Sequence, residues 1–208
     1  PTSGPRKLPP DRTPSGRTPS GRTPSGAGKE ALENFQLQTA DSVTLAASYY
    51  APSIKSNVKA PGAVLVHAPS GSKDQLDDVA KYLQRKGFGV IAFDARGHGA
   101  SVTPECDFRT LDDKAKEALW TASVKDIQAA TAFLREREEI HSNSLSLVGV
   151  GAGCGLAVRQ ALADDTVGAI VLITPSAENL GFNILTGLSE LAGLPTLIVA
   201  SKDDREQA

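Results

Sequence analysis

Residues 145–158 read Leu-Ser-Leu-Val-Gly-Val-Gly-Ala-Gly-Cys-Gly-Leu-Ala-Val. The run opens as an apolar strand, the kind that a parallel sheet buries on both faces. It closes on small and apolar residues suited to the first turns of a helix. Between the two lie Gly149, Gly151 and Gly153. Alternating glycines at such a corner fit a chain that must enter conformations costly to residues with a Cβ, or pack backbone against backbone. A strand, a glycine corner and a helix in direct succession are the repeating unit of an α/β fold.

The same alternation spreads outward from this corner. Upstream, Ala63-Val-Leu-Val-His67 reads as a first buried strand. Residues 72–75, Ser-x-x-Gln, read as a capping box opening a helix with Leu76, Val79 and Leu83 on one face. Gly87 stands where that helix should stop. Val90-Ile-Ala-Phe-Asp94 is a second buried strand. A single long helix is expected over residues 114–137, with Trp120, Val124, Ile127, Thr131 and Leu134 on its buried stripe. The corner's own strand is the third and its helix covers residues 153–163. Residues 167–173 give a fourth buried strand, and residues 195–200 a fifth. Ahead of them all, residues 35–39 and 43–50 alternate apolar and polar around Asp41-Ser42, the pattern of an antiparallel hairpin with one wet face. The expected architecture is three layers, a mostly parallel sheet between helices, edged by an N-terminal antiparallel hairpin.

Residues 1–29 differ in kind. They contain three tandem copies of Arg-Thr-Pro-Ser-Gly and almost nothing apolar, so they are expected to be a disordered tail ahead of a domain spanning residues 30–208. Six cations against Asp11 give the tail a net +5, which leaves −7 on the domain within the overall −2. A phosphorylatable basic tether that engages a protein partner and a mere repeat expansion both fit this segment. The acidic domain argues against a nucleic-acid channel. No run of about 18 apolar residues is present to span a bilayer. Two cysteines, Cys106 and Cys154, are too few for a disulfide framework and lack metal-ligand spacing, so no metal is expected. The glycines of the corner also miss the Gly-x-Gly-x-x-Gly spacing that would hold a dinucleotide, and no cofactor is implied.

Motifs follow the strands in a telling order. His67-Ala-Pro-Ser-Gly comes after the first, Asp94-Ala-Arg-Gly-His-Gly-Ala-Ser101 after the second, and Gly149-Val-Gly-Ala-Gly153 after the third. Thr174-Pro-Ser176 and Ser201-Lys-Asp-Asp204 follow the fourth and fifth. From Phe35 onward this succession resembles the α/β-hydrolase superfamily, the esterase, lipase and dienelactone-hydrolase-like branch in particular. The motif Asp94, Arg96, Gly97, His98, Gly99, Ser101 carries most of the resemblance and, with His67, is implied to be structural.

What the resemblance implies about chemistry is a machine with parts missing. The family holds a nucleophile at the centre of Gly-x-Ser-x-Gly, and here that centre is Gly151, with no side chain to attack. The acid position falls at Asp203, with Asp204 as the alternative. The oxyanion loop falls at Ala68 and Pro69, the second of which has no N–H to donate, while Ala152 supplies the other donor position. No histidine follows the acid, although the family order of nucleophile, acid and histidine calls for one. A further strand, helix and histidine are expected beyond Ala208, so the chain reads as C-terminally truncated. Three functions remain open. One is a catalytically inactive scaffold for a small acyl or ester-like ligand or a protein partner. The second is an active carboxylic-ester hydrolase with an unconventional nucleophile and a histidine supplied beyond this chain. The third is an interaction protein working through its tail.

Overall fold

A computed structural model describes residues 32–54 and 57–200. The Arg-Thr-Pro-Ser-Gly repeats, Asp203 and Asp204 lie outside the described residues.

The hairpin forms between β1 (Leu32–Gln38) and β2 (Thr44–Tyr50), paired antiparallel from Leu32 opposite Tyr50 to Gln38 opposite Thr44. Its turn closes where the Thr39 N–H donates to the Val43 carbonyl and the Val43 N–H to the Thr39 hydroxyl, both at 3.0 Å, with Ser42 at φ +64. The chain then builds β3 (Ala60–Val66), α1 (Asp77–Arg85) and β4 (Gly89–Phe93). It continues through α2 (Asp113–Ala122), α3 (Val124–Glu136), β5 (Ile140–Val150), α4 (Gly153–Ala163) and β6 (Val167–Ile173). The two-residue strands β7 (Glu178–Asn179) and β8 (Phe182–Asn183) form a small hairpin before α5 (Ile184–Glu190) and β9 (Thr196–Val199).

Among the described residues the main sheet runs β1-β2-β4-β3-β5-β6-β9, antiparallel through β1 and β2 and parallel from β4 onward. One face carries Ala63, Leu65, Val90, Ala92 and Val148 under α1, whose Ala80 is fully buried. The other carries Val64, Val66, Ile91, Phe93, Leu147 and Leu172 under Trp120, Ile127, Leu134, Leu156 and Ile184 of the remaining helices. The expected three-layer fold is the one observed.

Three local readings need correction, and one segment carried no reading. The capping box at residues 72–75 is not made: Ser72 donates no side-chain cap, and a 3-10 turn (Lys73–Leu76) precedes α1. The Gln75 N–H, which a Ser72 hydroxyl would cap, goes to the Ser72 backbone carbonyl instead, at 3.2 Å, and the Lys73 N–H goes to the buried Asp94 carboxylate at 2.7 Å. The single long helix is two, broken at the fully buried Ser123. Its hydroxyl bonds back to the Leu119 carbonyl at 3.2 Å, competing for the helix's own acceptor. Among the described residues the fifth strand is the outermost and not buried, with Leu197, Ile198 and Val199 at 57, 52 and 44 % exposure. Residues 178–190 hold β7, β8 and α5, elements too short and too polar to carry a readable period.

Candidate functional site

The turn from β5 into α4 is set by contacts in which a Cβ would not fit. A Cβ on Gly149 would stand 2.6 Å from both the Cys154 Cα and the Gly153 oxygen. One on Gly153 would stand 2.7 Å from the His67 carbonyl oxygen and 2.9 Å from that of Val66. The start of α4 is therefore pressed backbone to backbone against the ends of β5 and β3. Gly151 differs. It sits at the tip of the turn with φ +56, its N–H donating to the Ile173 carbonyl at 2.9 Å and its carbonyl accepting from Cys154 N–H at 3.1 Å. A Cβ there would meet only the Ala68 methyl, at 3.3 Å. The turn thus offers a projecting position facing the loop after β3, and glycine fills it.

Around it, the N–H groups of Ala68 and Ala152 have no acceptor among the described residues, and Pro69 has no N–H at all. The Ala152 carbonyl accepts from the Trp120 indole N–H at 3.3 Å, which ties the turn to α2. Thr174, at the end of β6, takes φ +48 and donates its N–H to Val199 at 2.7 Å.

The three histidines of the sequence lie in three different settings. The His67 ring is buried. Its Nε2 accepts the Ala95 N–H at 3.0 Å, so the proton sits on Nδ1, which donates to the Ala68 carbonyl at 2.7 Å. His98 donates from Nδ1 to the Arg96 carbonyl at 3.0 Å and packs on Phe108, Trp120 and His67, with ring centroids 4.4, 5.2 and 5.2 Å away. Its Nε2 is buried without a partner among the described residues. His141 lies on the exposed first residues of β5, at the opposite end of the strand from Gly151.

The Asp94–Ser101 motif is a set of braces. Asp94 accepts from the N–H groups of Lys73 and Ala100 at 2.7 and 2.9 Å. Gly97 and Gly99 take φ of +73 and +49, and a Cβ on Gly99 would run into the Asp94 carboxylate. Ser101 lies buried. Its hydroxyl donates to the Asp94 carbonyl at 2.8 Å and accepts the Ala46 N–H at 2.9 Å, fastening the loop to β2. Arg96 reaches two carboxylates. It contacts Asp126 of α3 through its N–H and Nε (both 2.9 Å) and Nη2 (2.7 Å), and Asp41 of the hairpin turn through Nη1 (2.9 Å) and Nη2 (3.0 Å). The Arg96 guanidinium holds the Asp41 carboxyl well below the usual carboxylate range. Sequence reading missed both acids. The available signal was Asp126, a carboxylate next to Ile127 on the buried side of its helix.

Cys154 is buried at the start of α4, its Sγ 3.2 Å from the Gly149 carbonyl oxygen. Burial pushes this thiol up to about 12, which favours the protonated form despite its helix-terminal address.

Burial lowers the pKa of both His67 and His98, so folding keeps these rings neutral while the unfolded chain protonates them below about pH 6.5. The unfolded state then binds more protons, and stability falls as pH falls from about 6.5 toward the folded values. The expected slope approaches about 1.4 kcal/mol per pH unit for each ring. Urea unfolding at pH 7.5, 6.5 and 5.5 measures it. Equal stability at all three would mean that the rings ionise inside the fold.

Comparison with known proteins agrees with this architecture. The profile of the serine aminopeptidase S33 family matches residues 62–194. No curated protein matches the chain. Among solved structures, the acylaminoacyl peptidase of Pyrococcus horikoshii superposes with TM-score 0.58 at 18% identity, over 82% of this chain and 32% of its own. The α/β hydrolase GrgF of a Penicillium species gives 0.56 at 20% identity, over 72% and 48%. The Pyrococcus furiosus esterase PF2001 gives 0.53 at 21% identity, over 70% and 49%. The chain thus spans half or less of the length of these structures. Among the described residues no helix is long and apolar enough to cross a membrane, and no group of three or more His, Cys, Asp or Glu could hold a metal. With the strand order, the glycine turn and the braced Asp94–Ser101 loop in place, the chain belongs to the serine aminopeptidase S33 family of the α/β-hydrolase superfamily.

Proposed function

We propose that this chain is a non-catalytic α/β hydrolase of esterase-like ancestry, which keeps the scaffold and its strand-end loops to bind a small acyl or ester-like ligand without cleaving it. The observation that carries the reading is Gly151. It occupies the projecting tip of the strand–helix turn, the nucleophile position of the family, and offers no atom to attack with. The surrounding groups offer no substitute. Cys154 is a protonated core thiol, and Ser101 has both its hydrogen-bonding roles taken by backbone. His67 has both nitrogens engaged, and His98 is wedged among aromatic rings. Without nucleophile and base, an acyl-transfer site retains only what backbone donors and binding supply. The unpaired N–H groups of Ala68 and Ala152 suit the carbonyl or carboxylate end of such a ligand.

Two measurements test this. A fluorophosphonate probe should leave the purified chain unlabelled, and the chain should not hydrolyse p-nitrophenyl esters above the buffer rate. The variant Gly151→Ser should also stay inactive, because His67, next to the Ala68 that faces the new side chain, has both ring nitrogens engaged. It should lose about 1–3 kcal/mol of stability, the cost of a non-glycine residue at this backbone conformation. Covalent labelling of the parent chain, or pH-dependent turnover by the variant, would overturn the reading.

A further inference from the structure

Three close contacts at glycine hold β8 and α5 against the helices beside them. A Cβ on Gly187 of α5 would stand 2.5 Å from the Val158 Cγ1 in α4. One on Gly155 of α4 would stand 2.7 Å from the Cβ and Cγ of Phe182 in β8, so that side chain lies directly on the helix. The turn between β7 and β8, Leu180-Gly181 at φ +46 and +82, leans on α2, where a Cβ on Gly181 would stand 2.9 Å from the Thr121 hydroxyl oxygen. Leu180 holds a conformation unusual for a residue with a Cβ while its side chain packs against the core.

Between these contact points the elements do not close. They leave a cleft of about 600 Å³, within the range of small-molecule sites. Its floor is α4, which lies between α3 and α5. One wall is the junction of α2 and α3, and the other is β8 with α5, so its lining runs from Thr121 to Glu190. Val124, Val158, Leu162, Phe182 and Ile184 make the surface largely apolar. Ala68, Gly151 and Ala152 take no part in it, which separates it from the strand–helix turn.

The polar groups in the cleft are few. Arg159 is the one cation in its lining, exposed and without an ion-pair partner among the described residues. The hydroxyls of Thr121 and Thr186 also bond to nothing among the described residues. The one acid in the lining, Glu190, is the last residue of α5 and does not pair with Arg159. An apolar cleft with one unpaired guanidinium is complementary to an apolar chain that ends in a carboxylate, which a guanidinium can hold through two parallel hydrogen bonds.

We propose that this cleft is a second ligand site, binding an aliphatic monocarboxylate with its chain along Val158, Leu162, Phe182 and Ile184 and its carboxylate on Arg159. The site needs no nucleophile, no base and no part of the strand–helix turn, so it stands whether or not the reading of Gly151 holds. The glycine contacts set its walls before a ligand arrives, which limits the ordering cost of binding.

The test titrates the 208-residue chain with octanoate, octanol and octylamine, followed by backbone-amide NMR. Octanoate should move the signals of Gly155, Gly181 and Gly187, and should bind about tenfold more tightly than octylamine, the worth of one charge-assisted hydrogen bond. Arg159→Gln should bind octanoate no better than octanol, and Arg159→Lys should keep part of the preference. Arg159 is exposed, so both variants should fold as the parent does. Glu190→Gln should bind octanoate at least as tightly as the parent, since it removes the only other charge in the lining. Shifts confined to Ala68, Gly151 and Ala152 would place the carboxylate at the strand–helix turn, which overturns this proposal and favours the ligand site proposed there. No shifts at all, or octylamine binding as tightly as octanoate, would also overturn it.

Discussion

Replacing Asp126 with alanine is expected to lower the unfolding free energy by about 3–5 kcal/mol, the usual penalty for stranding one member of a buried ion pair. Asp126 is fully buried and receives three N–H groups of Arg96, whose side chain is itself 7% exposed. Burial pushes the Asp126 carboxyl upward, and those donors pull it back toward the ionised form. Removing it leaves a guanidinium in the interior with only the hairpin carboxylate to balance it. Asp41→Ala should cost much less, about 1 kcal/mol, because Asp41 is reached by water and also meets Lys125 at 3.1 Å. Urea unfolding of the two variants side by side checks the order. Equal losses would mean that the hairpin contact anchors Arg96 as firmly as the helix contact does.

The second large effect is expected at Gly149. A methyl there overlaps backbone atoms of Gly153 and Cys154, which cannot swing aside as a flexible side chain would. Either α4 lifts from the sheet or β5 bends, and overpacking of this kind costs about 3 kcal/mol. For a domain of this size that lowers Tm by about 6–12 °C. Gly151→Ala should cost less, since its methyl meets only the Ala68 side chain and the penalty is mainly conformational. Differential scanning calorimetry of both variants compares them. A Gly149→Ala protein melting within 2 °C of the parent would contradict the packing described here.

The fold was legible wherever burial wrote a period into the chain. The helix at residues 153–163 and the strand at residues 167–173 have the expected bounds, because apolar side chains define them at both ends. The break at Ser123 was not legible, since a single hydroxyl turned back on the helix leaves the apolar stripe on either side intact. The capping box failed for a related reason. Ser72 and Gln75 are suitable residues, but the turn closes as a 3-10 turn in which the Ser72 carbonyl, not its hydroxyl, takes the Gln75 N–H, and local spacing carries no record of it. The exposure of β9 was hidden because Thr-Leu-Ile-Val reads the same at an edge as at the centre of a sheet. At the site, Gly151 and Pro69 could be read directly, whereas the Arg96 network depended on three segments meeting in space.

Gly149, Gly151 and Gly153 look alike as letters, yet different forces hold them. The outer two are fixed by contact: the chain cannot exchange them without moving a helix, whether or not anything is ever hydrolysed. The central position is under no such steric hold: its positive φ favours glycine by about 1–3 kcal/mol, a cost that a side chain is kept against only while chemistry needs it. Under natural selection these constraints relax at different times. A lineage that stops needing a reaction is free to drift at the middle residue at once, while the flanking glycines persist as long as the protein must fold. A family signature of this kind is therefore a record of packing, and it can outlive the activity it is used to recognise.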